Sequence, residues 1–411
     1  VSFGRRLTDL ATARPDATVI TLAHQDGTED TLTYAELEAW SNRAARLFAS
    51  KGLDATSMLC IGIYNSLEHY ACAYGAWKLG ACTLPLSPRM PDIEFQGITS
   101  LVEKKLVIAD RDDAHLRKSD ITVLRHAETD ASALPDITAL PGKAIGSGGS
   151  TGRSKIIVDP KSWARQVGET LLGHVGMRPG QVQLVAGPLY HNSPFSWSHY
   201  GIFDEHHIVV MERYDAALAM DLIERHRVQF GFLAPTMMMR IVRLPDINRR
   251  DFSSIESIFV TAAPCPPWLK HRWIELTAAE KVMEAFGSSE AAGACLRRVR
   301  PLRSRPAHHH FDQGFRVEHW RPRRSHAEWD IALQRGGGYV TAYGLCPANG
   351  SDKHRFANVF LTSVLLFSSL RERPLRRCNV FLSRPARRNC GTTRLARFCC
   401  LNRFVGRSNH T

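Results

Sequence analysis

The residues best suited to chemistry lie in one loop, residues 144–158, which read AIGSGGSTGRSKIIV. Glycines let the backbone approach a ligand closely, hydroxyl side chains offer hydrogen-bond donors, and Lys155 adds a positive charge. These groups together suit the oxygens of a polyphosphate, so the loop is predicted to bind a nucleotide. The predicted contacts in this loop are Ser147, Gly148, Gly149, Ser150, Thr151, Gly152 and Lys155.

Two common phosphate-binding motifs do not fit this loop. A Walker loop has Lys directly after its last glycine, whereas Gly152 is followed by Arg153 and Ser154. The dinucleotide fingerprint fails because Thr151 stands where its third glycine belongs. A flexible Ser/Gly linker is the structural alternative, since that composition is common in linkers.

The loop closely resembles the signature of the AMP-forming adenylate-forming superfamily, which includes acyl-CoA synthetases, luciferases and peptide-synthetase adenylation domains. The family pattern reads SG-G-[ST]-T-G-x-P-K, and only its proline departs here, as Ser154. Residues 32–37 and 78–86 also resemble the "LTYxEL" and "KxGA…PL" segments near the start of acyl-CoA synthetases. These two are packing motifs and locate no chemistry.

Two segments after the loop resemble family motifs in family order. PLYHN at residues 188–192 is similar to the motif whose histidine lies near the acyl and phosphate groups, which makes His191 a catalytic candidate. Histidine at a strand end can donate to an oxyanion or act as a gate. TAAPCP at residues 261–266 resembles the GGAP segment, whose backbone lines the adenine. Its matching residues are Ala262, Ala263 and Pro264. A structural histidine and a strand-to-helix turn are the plain alternatives.

A fourth segment, EAFGSSEAAG at residues 284–293, resembles the YGxTE motif. In that motif the aromatic residue stacks on adenine, the hydroxyl touches the α-phosphate and the glutamate holds magnesium. The resemblance implies these roles for Phe286, Ser289 and Glu290. A carboxylate suits Mg²⁺, which prefers oxygen ligands and often lies between a carboxylate and phosphates. The predicted nucleotide contacts here are Glu284, Ala285, Phe286, Gly287, Ser288 and Ser289. For the glutamate taken alone, a solvated turn is the alternative.

The resemblance implies carboxylate activation with ATP, Mg²⁺ and CoA. The substrate carboxylate attacks the α-phosphate, pyrophosphate leaves, and the acyl adenylate is captured by the thiol of CoA. The implied catalytic residues are Lys155, His191 and Glu290. The form of the loop and the YHNSPF segment favour fatty, aromatic or steroid-derived acids over amino acids.

Alternating apolar strands and amphipathic helices must position these segments. One helix is predicted over residues 32–52, with Thr33 and Glu36 as a capping box and Gly52 at its end. Further strands are predicted at 58–64, 81–88, 104–110, 182–188, 229–234 and 257–263. Further helices are predicted at 67–80, 161–176, 215–228, 235–244 and 266–276.

This alternation predicts an α/β fold with parallel-rich sheets flanked by helices. The length of 411 residues and an apolar share of 44% allow a substantial core. The resemblance adds that this is the large N-terminal domain of the acyl-CoA synthetase type, with the small C-terminal domain missing.

Charge is divided unevenly along the chain, whose net charge is +13. Residues 1–294 hold 30 basic and 34 acidic side chains, a net of −4, and residues 295–411 hold 23 and 6, a net of +17. We therefore predict an adenylating domain over residues 1–293 and an Arg-rich tail, disordered or frame-shifted, over 294–411. A nucleic-acid-binding arm is the alternative, but the tail lacks regularly interleaved aromatic residues and a known reader module.

The tail also lacks the family's "TGD" and "GRxDD" motifs and a candidate for the lysine of the small domain. We hypothesise that it is read from a shifted frame of a GC-rich gene, because all but Lys353 of its basic residues are Arg. A non-catalytic relic that still binds ATP or an acyl ligand is the second functional hypothesis.

Composition also predicts the location of the protein and the kinds of site and partner to expect. The start of the chain does not resemble a signal peptide, and no apolar run is long enough to span a bilayer, so a cytoplasmic protein is expected. The ten cysteines form no CxxC pair, and neither a disulfide framework nor a zinc site is indicated. The His308, His309, His310 run is predicted to be solvated. The expected partners are the acid, ATP and CoA, without nucleic acid, in a possible homodimer.

Overall fold

The structure of this chain, a computed structural model, describes residues 1–147, 155–168 and 175–287. It also describes the backbone of four later strands, within residues 294–298, 316–322, 328–335 and 338–345. Of Ser147 and residues 285–287 only the backbone is described. The described residues belong to one compact unit, Val1–Leu365, while a second unit, Leu366–Thr411, lies outside them.

The described ranges contain helices and strands in alternation. The helices are α1 (Phe3–Ala13), α2 (Tyr34–Ser50), α3 (Leu67–Lys78), α4 (Asp92–Thr99), α5 (Lys118–Thr122), α6 (Asn192–Phe203), α7 (Ala216–Arg225), α8 (Pro235–Val242) and α9 (Pro267–Leu276). The strands are β1 (Thr18–Ala23), β2 (Glu29–Thr33), β3 (Met58–Gly62), β4 (Cys82–Pro85), β5 (Lys105–Ala109), β6 (Lys143–Ser147), β7 (Lys155–Asp159), β8 (Val182–Val185), β9 (His207–Met211), β10 (Phe230–Leu233), β11 (Ser257–Val260), β12 (Val282–Gly287), β13 (Ala294–Arg298), β14 (Arg316–Pro322), β15 (Glu328–Arg335) and β16 (Gly338–Leu345).

The smaller of two sheets has the strand order β5-β3-β4-β6-β7. Strand β3 pairs in parallel with β4 and β5, and β4 pairs in parallel with β6. Strands β6 and β7 form an antiparallel hairpin. The parallel strands predicted at 58–64, 81–88 and 104–110 are thus confirmed, and the predicted phosphate loop lies between the two hairpin strands.

The larger sheet has the order β14-β15-β16-β13-β12-β11-β10-β8-β9-β1-β2. From β12 to β1 every neighbouring pair is parallel. Strand β2 pairs antiparallel with β1 at one edge, and the four strands from β13 to β16 pair antiparallel with their neighbours at the other. Parallel-rich sheets with helices between their strands confirm the predicted α/β class.

Local sequence signals explain where α2 begins and ends. The amide of Glu36 donates to Thr33 Oγ1 at 3.2 Å, and the amide of Thr33 donates to the Glu36 carboxylate at 2.8 Å. Two of the amide donors left unpaired at a helix start are satisfied in this way. Gly52 follows the helix with a φ of +85°, where glycine is favoured. The predicted capping box and stop signal are therefore confirmed.

One predicted helix is wrong over its described part. Residues 161–168, the first half of the helix predicted at 161–176, form bends and turns, and residues 169–174 lie outside the described ranges. Trp163 is buried there and stacks on Phe3 with ring centroids 4.7 Å apart, while its amide donates to the Ala139 carbonyl at 2.9 Å. Tertiary packing of one tryptophan thus overrides a helical pattern in the sequence.

Helix α3 is buried along its whole length. Its sequence is apolar on all sides, as expected for a helix inside a large core rather than on a surface. Tyr70, Tyr74 and Trp77 are each at most 1% exposed and pack among the aromatic residues of α1 and α6. Within the described ranges, none of the helices has the length and hydropathy needed to cross a membrane.

Candidate functional site

Three predicted site segments lie at one edge of the larger sheet. PLYHN follows β8, TAAPCP follows β11, and residues 284–287 are the end of β12. Strands β8, β10, β11 and β12 are successive neighbours and run in one direction. Because carboxyl ends of parallel strands meet at one edge, the three segments lie along the same edge, where adjacent strands are about 5 Å apart. Strands β11 and β12 are direct neighbours, and β10 lies between β8 and β11. This edge is where open α/β sheets bind their ligands.

The predicted phosphate loop belongs to the smaller sheet. Ser147 ends β6 and Lys155 begins β7, and the two residues face each other in the hairpin. Strand β6 runs in the direction of β3, because both are parallel to β4. The loop therefore leaves the smaller sheet at the same edge as the carboxyl end of β3. The residues that lie between the hairpin strands and outside the described ranges include Gly148, Gly149, Ser150, Thr151 and Gly152.

A buried asparagine joins the carboxyl edges of the two sheets. Asn65 follows β3 and donates from Nδ2 to the carbonyl oxygens of Gly187, at 3.1 Å, and Met211, at 2.9 Å. The amide of Leu189 donates to Asn65 Oδ1 at 2.8 Å. Gly187 and Met211 stand at the ends of the neighbouring strands β8 and β9. The edge that carries the loop thus meets the edge that carries His191.

His191 lies at the beginning of α6. It is the N-cap residue, its backbone is extended, and its side chain makes no capping hydrogen bond. Its amide donates to the Pro188 carbonyl at 3.0 Å, and its ring lies against Tyr190 with centroids 4.7 Å apart. His191 is exposed to solvent, but the protein atoms around its ring partly desolvate it and lower its pKa below 6.5. At neutral pH the imidazole is mainly neutral and can both donate and accept a hydrogen bond.

The turn TAAPCP presents small residues to solvent. Ala262, Ala263 and Pro264 are exposed, whereas Cys265 is buried beneath them, and burial raises the pKa of its thiol to about 11. Ala262 has a φ of +75°, in the left-handed region that favours glycine. The backbone at this position therefore has the conformation of a glycine although the residue is alanine. The small side chains leave room for a flat ring beside the turn.

Glu284 has a partner within the protein. Lys270 Nζ on α9 lies 2.6 Å from both carboxylate oxygens of Glu284 on β12. Both side chains are largely buried. The pair ties the helix that follows TAAPCP to the strand that leads towards Glu290. A direct contact of Glu284 with a nucleotide stays a prediction.

The side chain of Lys155 is exposed on the outer strand of the hairpin. It borders an open hollow of about 750 Å³ whose walls include Thr56, Leu101 and Lys104. These residues lie near the amino ends of β3 and β5. A role for Lys155 at the phosphates stays a prediction.

The metal site cannot be built from the described side chains. In the part of the chain that has described side chains, no three or more His, Cys, Asp and Glu residues form a group that could hold a metal ion. The predicted ligand Glu290 lies outside the described ranges, as do Ser288 and Ser289. Ala285, Phe286 and Gly287 lie in β12, where they pair antiparallel with β13.

An apolar wall stands beside the His191 segment. Trp197 on α6 lies 5.1 Å from the ring of Phe259 on β11, which in turn lies 5.6 Å from Phe232 on β10. Both phenylalanines are almost fully buried, and Trp197 is partly exposed. The wall is formed by residues near the carboxyl ends of two parallel strands, next to the edge that carries the predicted motifs.

Sequence reasoning missed three polar residues that organise this region. The sequence predicts no role in the site for Asn65, Asn192 or Lys143 by itself. A single sequence gives no signal for Asn65 or Asn192, because the groups they contact are distant along the chain. Lys143 had a signal, since it begins the otherwise apolar strand β6 and lysine is almost never buried without a partner.

Comparisons with known proteins agree with this geometry. The model of the family described as "AMP-binding enzyme" matches residues 7–317. 4-Coumarate-CoA ligase 1 of Narcissus pseudonarcissus is 25% identical over 293 residues, which cover 64% of this chain and 53% of the ligase. The long-chain-fatty-acid–CoA ligase FadD13 of Mycobacterium tuberculosis is 23% identical over 290 residues, which cover 66% of this chain and 57% of that protein. The chain thus spans about half the length of these curated relatives.

Solved structures show the same fold. The inhibitor-bound N-terminal domain of FACL13 from Mycobacterium tuberculosis superimposes with a TM-score of 0.59 at 19% sequence identity. The superposition covers 71% of this chain and 76% of that domain. This likeness confirms the predicted fold of the acyl-CoA synthetase N-terminal domain. Because the family model matches well over half of its residues, the chain belongs to the AMP-binding enzyme family.

Proposed function

We propose that this chain carries the adenylating part of an AMP-forming ligase for an apolar carboxylic acid. The observation that carries the proposal is the convergence of the loop hairpin, His191 and the ends of β11 and β12 on edges that Asn65 joins. In this reaction a carboxylate oxygen attacks the α-phosphorus of ATP, the bond to pyrophosphate breaks, and acyl-AMP forms. The thiol of CoA then attacks the acyl carbonyl, and AMP leaves.

Each segment has a proposed part in the first step. Backbone amides and hydroxyls of residues 147–152 bind the phosphates, and Lys155 offsets their negative charge. The exposed turn at Ala262 and Ala263 lies against the adenine, with Phe286 on the other face. The ring of His191 donates a hydrogen bond to the reacting carboxylate or phosphate, or moves aside to admit the acid. Mg²⁺ would neutralise further phosphate charge, with Glu290 as its proposed protein ligand.

The acid is proposed to be fatty, aromatic or steroid-derived. Trp197, Phe232 and Phe259 offer an aromatic wall beside the His191 segment, and that wall suits an apolar acyl group. The printed names of the relatives, 4-coumarate and long-chain-fatty-acid ligases, point to the same classes. We also propose a cytoplasmic location and leave the possible homodimer as a prediction.

The test combines two measurements on the full chain. Pyrophosphate release is followed with aromatic, fatty and steroid-derived acids in the presence of MgATP, and ATP binding is measured at equilibrium. Turnover that depends on the acid supports the proposal. ATP binding without turnover for any acid supports the non-catalytic relic instead. If the chain neither binds ATP nor turns over any acid, both hypotheses are contradicted.

Variants assign the roles. Lys155→Met is expected to lower turnover about 100-fold, the usual loss when one group that stabilises transition-state charge is removed. His191→Ala is expected to lower turnover by about 10- to 100-fold, as for loss of a positioned donor. Lys51→Met changes an exposed lysine that follows α2 and is the matched control. Equal turnover of all three variants would contradict the assigned roles.

We further propose that residues 295–411 are encoded in a shifted frame. The motivating observation is the change in net charge from −4 to +17 at residue 295. Restoring one or two nucleotides near codon 295 of the gene is expected to expose downstream "TGD" and "GRxDD" motifs. A gene with neither motif in any frame would contradict the proposal.

A further inference from the structure

Lys143 is a buried lysine at the start of the strand that leads into the predicted phosphate loop. It is the first residue of β6 and is 6% exposed. Lysine is almost never buried so completely unless a partner holds its ammonium group. Neither the proposed reaction nor the packing of β6 between two strands requires a charge at this position.

The ammonium group of Lys143 contacts the first turns of α6. Nζ donates to Asn192 Oδ1 at 2.7 Å and to Ser196 Oγ at 2.8 Å. Asn192 and Ser196 are four residues apart and so lie on one face of the helix. The Ser196 hydroxyl also donates to Asn192 Oδ1 at 3.3 Å. A closed group of three side chains therefore links β6 to the helix that begins directly after His191.

The same ammonium group also faces the second strand of the hairpin. Asp159 Oδ2 lies 3.9 Å away, and Asp159 is the residue opposite Lys143 in the β6–β7 register. The ring of Trp163 covers the site, with its centroid 5.7 Å from Nζ. One charged group thus contacts both strands that hold the loop and the helix that presents His191.

A buried lysine is energetically unfavourable at a position that requires only packing. The beginning of a helix carries partial positive charge, so a cation near the first turn of α6 is disfavoured by the helix dipole. Burial lowers the pKa of Lys143 to about 8, and Asp159 offsets part of this effect. Replacing a whole buried ion pair by apolar residues of similar volume is often neutral for stability, so stability alone does not require a charged pair at this place.

We propose that Lys143 is a positioning residue that fixes the β6–β7 hairpin against the start of α6 and so sets the distance between this hairpin and His191. The inference rests on the proposed function, because it assumes that the loop and His191 act on one substrate pair. Lys143 itself is held by Asn192 and Ser196 and acts through the segments that it joins.

The charged and titratable groups around Lys143 define its pH response. Asp159 on β7 favours the charged form, Lys161 beyond that strand disfavours it, and the Cys82 thiol on β4 lies close by. His199 on α6 is buried and, with its pKa lowered to about 3, stays neutral near pH 8. Lys143 is therefore expected to lose its proton near pH 8, and its hydrogen bonds then lose their charge-assisted strength.

The test compares Lys143→Met and Lys143→Gln with Lys78→Met in the full chain. Lys78 is a second buried lysine, 4% exposed, and binds Glu38 between α2 and α3, away from the proposed site. Pyrophosphate release is measured from pH 6 to pH 9.5, together with thermal stability. Lys143→Met is expected to lower kcat about 10- to 100-fold with a smaller change in the KM for ATP, because misplaced groups react slowly even when substrate binds.

Rescue and pH dependence separate positioning from general stability. Lys143→Gln can donate to one acceptor, so it is expected to recover part of kcat. It should also lose the decline in wild-type kcat above pH 8. Lys78→Met is expected to lose stability while keeping the wild-type pH profile. The proposal is overturned if Lys143→Met keeps the wild-type kcat and profile, or if both Met variants lose activity in proportion to their melting temperatures.

Hydrogen exchange keeps the test independent of the proposed function. Lys143→Met is expected to speed amide exchange in β6, in β7 and in the first turns of α6 together, whereas Lys78→Met is expected to speed it in α2 and α3. If Lys143→Met speeds amide exchange in only one of the linked segments, the positioning role is overturned. Absence of turnover in the wild-type chain would instead overturn the proposed function, and the exchange result would still decide whether Lys143 links the two segments.

Discussion

Asn65 Nδ2 donates to the Gly187 carbonyl across 3.1 Å and so joins the turn after β3 in the smaller sheet to the segment after β8 in the larger. The same side chain satisfies the Met211 carbonyl and the Leu189 amide, and Asn65 is 7% exposed. A single side-chain amide therefore contacts three backbone groups at the point where the two sheets meet. The two sheet edges that carry the predicted motifs meet through this residue.

Replacing Asn65 with Ala is expected to destabilise the chain. The change leaves buried backbone groups of Gly187, Leu189 and Met211 without their side-chain partner. The expected loss is about 2–4 kcal/mol in the free energy of unfolding, measured by urea denaturation. Asn248→Ala is the matched control at an exposed position, where the amide oxygen accepts a hydrogen bond from Arg272, and it should change stability by less than about 1 kcal/mol. An Asn65→Ala chain as stable as the control would refute the role of this side chain.

Lys78 and Glu38 form a buried ion pair between α3 and α2. Nζ lies 2.6 Å from Glu38 Oε2 and 2.5 Å from Asn42 Oδ1, and burial lowers the pKa of Lys78 to about 8. Lys78→Met is expected to cost about 3 kcal/mol, because the Glu38 carboxylate stays buried without its counter-ion. The double variant with Glu38→Gln removes that charge and should recover more than half of the loss in urea denaturation. No recovery in the double variant would show that lost packing, not charge, causes the effect.

Three buried histidines are expected to make the fold sensitive to acid. Burial lowers the pKa of His69 and His199 to about 3 and that of His206 to about 4. Between these values and 6.5 the unfolded chain binds protons that the folded chain does not, so stability falls as the pH falls below 6.5. The expected loss at pH 5 is about 2 kcal/mol for each histidine. His24, whose pKa is raised by Asp30, acts in the opposite sense but is partly exposed and screened.

Urea denaturation at pH 7 and pH 5 checks this expectation. His69 is fully buried against the ring of Phe195, at 5.9 Å between centroids, so a phenyl ring has an apolar neighbour at the same place. His69→Phe is therefore expected to reduce the difference in stability between the two pH values by about 2 kcal/mol, the share of one histidine. Equal stability of the wild-type chain at both pH values would contradict the sign of the effect.

Much of the fold could be predicted because its signals are local. The capping box at Thr33, the glycine after α2 and the prolines that open α8 and α9 depend on neighbours along the chain. The alternation of strands and helices in residues 58–110 and 215–276 likewise predicts parallel strands, which the structure confirms. Periodicity and capping therefore sufficed wherever an element is determined by its own sequence.

Elements determined by distant packing were not predicted. Helix α6 begins at Asn192, the last residue of the PLYHN motif, and the Ser and Pro residues of its first turns hide its helical period. Strand β9 is a short apolar run between that helix and a turn, and periodicity alone does not distinguish it from a helix segment. The opposite error occurs at Trp163, where a helix was predicted and the stacking of Trp163 on Phe3 excludes it.

The motifs of the sequence predict which segments form the candidate site. They do not predict the side chains that hold these segments together. Topology confirms that the segments at His191, Ala262 and Phe286 belong to one edge of a parallel sheet. The roles of these residues stay predictions, as do those of the loop residues and Glu290. Lys143 and Asn65, which link the two sheets and α6, depend on contacts across many residues and leave no periodic trace.

Ala262 is expected to be improved by glycine. Its φ of +75° lies in the left-handed region, which costs an alanine about 1–2 kcal/mol. Glycine removes this strain but adds freedom to the unfolded chain, so Ala262→Gly should gain about 0.5–1 kcal/mol in urea denaturation. Ala263→Gly is the matched control, since the backbone of Ala263 itself is not left-handed, and this variant should lose a similar amount of stability. A loss in both variants would contradict the assigned backbone conformation.

Formation of acyl-AMP in a single turnover is the direct test of adenylation by this chain. The purified chain is mixed with ATP labelled at the α-phosphate, Mg²⁺ and an aromatic or fatty acid, and acyl-AMP is separated and counted. We predict labelled acyl-AMP that depends on the acid and falls about 100-fold in Glu290→Gln and in Lys155→Met. A chain that binds ATP yet yields no labelled acyl-AMP with any of these acids would contradict the proposed adenylation.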